Sequence, residues 1–90
     1  MGKTIITVVG KDRVGIIAAV CTYLASNKVN ILDISQTITG GFFNMMMIAD
    51  TSGSDVPFGK ICDGIEALGE EIGMQIKMQK EDIFDAMHRI

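Results

Sequence analysis

Two consecutive glycines, Gly40-Gly41, stand between two runs rich in apolar and β-branched residues, Val29–Thr39 (VNILDISQTIT) and Phe42–Ala49 (FFNMMMIA). Successive glycines adopt at no steric cost the positive φ angles that a two-residue hairpin turn needs. The two runs are therefore expected to be antiparallel neighbours in a sheet, and the rest of the chain has to be arranged around that hairpin.

On each side of it the same pattern appears. Thr4–Val9 (TIITVV) is dense in β-branched residues and reads as a strand with apolar side chains on both faces. A helix is expected from about Val14 to Asn27, with Ile17, Val20, Cys21 and Leu24 at i, i+3, i+4, i+7 spacing. In the strand that follows, Leu32, Ile34 and Ile38 share one parity. After Asp50–Asp55, which reads as a turn, a second helix is expected from about Val56 to Ile72. Phe58, Ile61, Cys62, Ile65, Leu68 and Ile72 form its stripe, Pro57 is tolerated in its first turn, and Gly73 stops it. Met74–Lys80 alternates strictly, with Met74, Ile76 and Met78 inward and Gln75, Lys77 and Gln79 outward. Residues 81–90 carry Ile83, Phe84, Met87 and Ile90 at helical spacing and are expected to form a short amphipathic helix.

The order strand–helix–strand–strand–helix–strand is the split βαβ plan: a ferredoxin-like α+β sandwich, with a four-stranded antiparallel sheet and two helices on one face. A chain of 90 residues has room for one such core and no second domain. The plan leaves the second face of the sheet bare, yet the first and third strands are apolar on both sides. Self-association as a dimer or larger homo-oligomer, or cover by the tail helix, is the expected remedy.

Charge narrows the partners. The net charge is −3 and the pI near 4.9, which disfavours nucleic acid. Residues 1–45 hold four basic and two acidic side chains, and residues 46–90 four basic and nine acidic, so an anionic ligand suits the N-terminal half. Two cysteines and one histidine assemble no disulfide framework, no CxxC pair and no metal cluster. No apolar run approaches the ~18 residues of a membrane span. Ile5–Val9 is too short for a signal peptide, and Ile6 stands where a myristoylation pattern needs Ser or Thr. A cytoplasmic protein without cofactor or catalytic set is expected.

The plan hosts many functions, so the site has to be argued from residues. A heavy-metal carrier would place soft ligands in the loop after the first strand, which here reads Gly10-Lys11-Asp12-Arg13-Val14-Gly15. Met45, Met46 and Met47 are consecutive in a strand and read as core filler. An RNA-binding module would show exposed aromatic residues on the first and third strands beside basic residues; the first has none, and Phe42 and Phe43 begin the third, but methionines follow and the net charge is negative. A small acylphosphatase-like hydrolase would cradle phosphate with an arginine in the first loop and hold water with an asparagine on the third strand. Arg13 and Asn44 stand at about those places, but Asp12 partly cancels Arg13 and the glycine-rich phosphate loop is missing.

Asp12-Arg13-Val14-Gly15-Ile16, followed by Asn30-Ile31, resembles the signature of the ACT domain, D-x-P/V-G-I/L opening the first helix and N-I on the second strand. The resemblance covers essentially the whole chain. It is nearest to the stand-alone short ACT proteins of bacteria and archaea and to ACT segments of the glycine-cleavage repressor type, with Val14 where many members have proline. The resemblance implies binding of an amino acid or similar small ligand, usually at an interface between paired domains, by Asp12, Arg13, Val14, Gly15, Ile16, Asn30, Ile31 and Leu32.

Elementary chemistry agrees with that implication. The first turn of a helix offers free N–H groups and a partial positive charge to a carboxylate. Gly15 lets a ligand approach the backbone, and Asp12 and the Asn30 carbonyl can accept from an ammonium group. Each residue also has a purely structural reading: Gly15 as a packing residue, Asp12 as a helix cap, Asn30 bonding its own turn. The expected function is ligand-dependent regulation in trans, through a second copy or a partner protein. The alternatives are a ligand-free interaction module and the hydrolase.

Overall fold

The computed structural model describes residues 3–81. Its elements are β1 (Lys3–Lys11), α1 (Ile16–Ser26), β2 (Asn30–Thr39), β3 (Phe42–Asp50), α2 (Phe58–Ile72) and β4 (Met74–Lys80). Gly40 and Gly41 adopt φ of 60° and 83°, the pair of positive angles that closes β2 onto β3. All pairings are antiparallel and the sheet order is β2-β3-β1-β4, the ferredoxin-like arrangement expected.

Alternation along each strand decides which face meets the helices. Ile6 and Val8 of β1, Met45 and Met47 of β3, and Ile76 and Met78 of β4 are buried against Ile16, Val20 and Leu24 of α1 and Ile61 and Ile65 of α2. The helices cross at a glycine. A Cβ at Gly64 would collide with the Tyr23 hydroxyl oxygen, and that hydroxyl donates to the Ile61 carbonyl at 2.9 Å. The missing side chain thus lets the Tyr23 ring lie on α2.

Helix ends follow local chemistry, with three departures from the sequence reading. α1 starts at Ile16, because Gly15 takes φ 90° and serves as N-cap. It ends without glycine: Lys28 takes φ 59°, with Lys28 N–H bonded to the Ala25 carbonyl and Val29 N–H to the Leu24 carbonyl, a Schellman closure. α2 starts at Phe58 because Pro57 is the N-cap, with an extended ψ of 143°. Gly73, at φ 75°, ends α2 as expected. β1 runs on through Gly10 and Lys11, which pair with Phe43 and Phe42.

β2 is the element least like its expectation. It is an edge strand, and Leu32, Ile34 and Ile38 remain 47%, 42% and 55% exposed. A bulge between Ile31 and Asp33 leaves Leu32 outside the ladder. Ile34 and Ile38 pair with Met47 and Phe43, on the helix side of the sheet, but the helices do not extend over them. The opposite face carries no helix and exposes Val9, Phe42 and Met46, so Met46 is not core filler as Met45 and Met47 are. Apart from Glu81, the tail helix expected at 81–90 falls outside the described residues. Among those residues, no helix is long and apolar enough to cross a membrane.

Candidate functional site

The loop between β1 and α1 is held from two sides. The Asp12 N–H donates to the Gly41 carbonyl of the hairpin at 2.9 Å. The Arg13 Nη1 donates to the Ile72 carbonyl, at the C-terminus of α2, at 3.0 Å. Beneath them β1 presses on the turn after α2. A Cβ at Gly10 would stand 2.8 Å from Met74 Sδ and 2.9 Å from the Gly73 carbonyl oxygen, so the contact requires glycine.

Past Arg13 the loop is open. Val14 is 98% exposed. No atom lies within 4 Å of where a Gly15 Cβ would stand, so Gly15 answers a backbone demand, φ 90°, rather than tight packing on the sheet. The N-terminus of α1 has no side-chain cap, and Asp12 does not supply one. The first-turn N–H groups, at the positive end of the helix dipole, therefore have no side-chain cap beside Gly15. Ile16 is 2% exposed and anchors the helix in the core.

The second group of candidate residues is far from the first within one chain. Asn30 pairs with Asp50, and Asp50 pairs with Lys3, at the start of β1. Asp12 follows Lys11 at the other end, and a strand from Lys3 to Lys11 spans about 26 Å. Ile31 is half-buried beside Ala49, Asn30 is exposed, and Leu32 is thrust out by the bulge. Asp12–Ile16 and Asn30–Leu32 thus form two clusters at opposite ends of the sheet.

The hydrolase arrangement is not assembled. Asn44 pairs with Val9 and Thr37 on the helix-free face, while Arg13 reaches the end of α2 on the other side. On the helix-free face Asn44 joins Thr7, Val9, Ser35, Thr37 and Met46 around a shallow depression of about 220 Å³. Sequence reasoning missed Thr7, Ser35 and Thr37, although the polar positions of the β2 alternation were the signal. It also missed the Gly41 and Ile72 carbonyls, which as backbone acceptors leave no mark on residue type. Among the described residues no group of three or more His, Cys, Asp or Glu is placed to hold a metal ion. Cys21 and Cys62 are free, half-buried thiols.

Comparison with known proteins gives a consistent result. The ACT domain family model matches residues 3–79. A UPF0237 protein of Bifidobacterium longum is 59% identical over 90 residues, covering all of both chains. A UPF0237 protein of Methanocaldococcus jannaschii is 47% identical, again over all 90 residues and the whole of both chains. Among solved structures, an ACT domain protein from Streptococcus pneumoniae superposes with a TM-score of 0.80 at 41% identity, over 96% of this chain and 97% of that one. The match runs from the first residue of β1 to the next-to-last residue of β4, so the chain belongs to the ACT domain family, whose members are commonly regulatory domains that bind small ligands.

Proposed function

We propose that this domain binds a small zwitterion, an amino acid, between two copies of itself and passes that signal on in trans. The observation that carries the reading is the separation of the two residue clusters combined with the free edge of β2. Asn30 begins β2, and Thr39 ends it next to Gly40-Gly41, the turn to which the Asp12 N–H is bonded. If two β2 edges pair antiparallel about a two-fold axis, the start of one strand lies beside the end of the other. Asn30–Leu32 of one copy then approaches Asp12–Gly15 of its partner, and two equivalent sites form per dimer.

Within such a site the roles divide by charge. The ligand carboxylate takes the uncapped first turn of α1 beside Gly15, where no Cβ intervenes. Its ammonium group takes the Asp12 carboxylate and the Asn30 side-chain carbonyl. Val14 and Leu32, both exposed and apolar, flank the ligand side chain. Nothing in this scheme calls for a catalyst or a cofactor, and the output is a change in the pairing itself or in what the pair contacts.

A thermal-shift series over the amino acids tests the reading. At a hundred times its dissociation constant a ligand adds about 2.7 kcal/mol, several degrees of midpoint for a domain of this size. Mixing then tests the composite site. Asp12→Asn and Asn30→Ala should each abolish the shift alone. Mixed in equal amounts they should recover about a quarter of the sites, because each mixed dimer has one site with both halves intact. No shift with any amino acid rejects the ligand and favours a pure interaction module. A shift that mixing does not restore rejects the shared site.

A further inference from the structure

We propose that Arg13 is a strap that makes the first loop and the C-terminal end of α2 move as one unit, so that it positions the candidate site rather than lining it. The guanidinium crosses 59 residues of sequence to the Ile72 carbonyl, one of the four at the end of α2 that have no partner within the helix. It also sits at the negative end of that helix's dipole, the end that favours a cation.

The contact is one of three that join the same two regions or hold the loop between them. Gly10 packs directly on Gly73 and Met74, immediately after α2. On the far side the Asp12 N–H fastens the loop to Gly41 of the hairpin. Loop residues Asp12 and Arg13 therefore contact both the β2–β3 hairpin and the end of α2. The end of β1 already joins the two through the ladder, Lys11 pairing with Phe42 and Gly10 with both Phe43 and Met74, and the loop adds a second link beyond it. An event that draws Arg13 from Ile72 slackens the loop and frees the end of α2 together. That makes Arg13 a route from the first loop to the opposite edge of the sheet, where β4 begins. What the route reports depends on the binding reading given above; the strap itself does not.

Solvent-exchange NMR on the free protein tests it, comparing wild type with Arg13→Gln. Two amides report from opposite sides: Gly73, bonded to the Gly69 carbonyl, and Asp12, bonded to the Gly41 carbonyl. Loss of one exposed, charge-assisted hydrogen bond should speed exchange at both by roughly two- to ten-fold. The core amides of Ile6 and Met47 should be unchanged, and Arg13→Lys, which keeps the charge, should fall between. Acceleration at Gly73 alone would make Arg13 a simple helix cap and overturn the coupling. Unchanged rates at both amides, or a uniform rise that includes the core, would overturn it equally. Because no ligand is added, the result is independent of whether amino acids bind.

Discussion

Tyr23 shows how much one side chain decides here. Its ring fits α1 onto α2 only because Gly64 has no Cβ, and its hydroxyl is bonded to the Ile61 carbonyl. Gly64→Ala should therefore destabilise the domain by about 1–3 kcal/mol, the usual range for overpacking. Removing the Tyr23 hydroxyl takes away the nearest atom, so the double variant with Tyr23→Phe should cost less than the sum of the singles. Urea denaturation of the four proteins measures that coupling. The same side chain carries a pH signature. Burial first, then the neighbouring Cys62 and Asp63, raises the Tyr23 pKa above its ordinary 10.0. Burial, then Glu66 and Asp63, raises the Cys62 thiol above 9.0, against a smaller opposing pull from Lys80. Both groups stay protonated longer in the folded chain than in the unfolded one. Their contribution is therefore complete below pH 9 and is lost as pH rises through the alkaline range. Stability should be level across neutral pH and fall above about pH 9. Tyr23→Phe and Cys62→Ser together should flatten the fall, as read from denaturation midpoints between pH 7 and 11.

Among the elements, β2 separates what sequence reveals from what it conceals. The strict alternation of β4 and the stripe of α2 were legible because each has one wet face and one dry face. The Gly40-Gly41 turn and the Gly73 stop were legible because only glycine takes those angles without strain. The Schellman closure at Lys28 was not, since there a lysine accepts the left-handed angle that the turn imposes. Nor did β2 announce its exposure. Leu32, Ile34 and Ile38 have the look of a core row, but the strand lies at the sheet edge, beyond the cover of the helices. The residues of the candidate site were legible one by one, whereas the distance between Asp12 and Asn30 exists only once the strands are paired. An apolar edge that no helix covers is a surface for a second chain. If two copies pair through β2 as proposed, Ile34→Lys and Ile38→Lys should leave the circular dichroism spectrum and the fold intact while converting that dimer to monomer in sedimentation. A dimer that survives both changes would place the interface elsewhere.

At the scale of the whole molecule, the sheet has two unlike borders. One is β2, which exposes Leu32, Ile34 and Ile38, is interrupted by the bulge at Leu32 and continues as a regular stretch from Asp33 to Thr39. The other is β4, seven residues long, with Lys77 and Lys80 exposed. Were two β2 borders to join, only the lysine-bearing ones would remain outside among the described strands, and growth would stop at two. Joining β2 to β4 would leave a fresh β2 at every step and produce an endless ribbon. The bulge limits the register in which a second strand can match this border, and the lysines deter a strand from adding at the other. The strand order β2-β3-β1-β4 thus bears on more than where residues sit. With two borders so unlike, any pairing of β2 with β2 would close at two copies instead of extending.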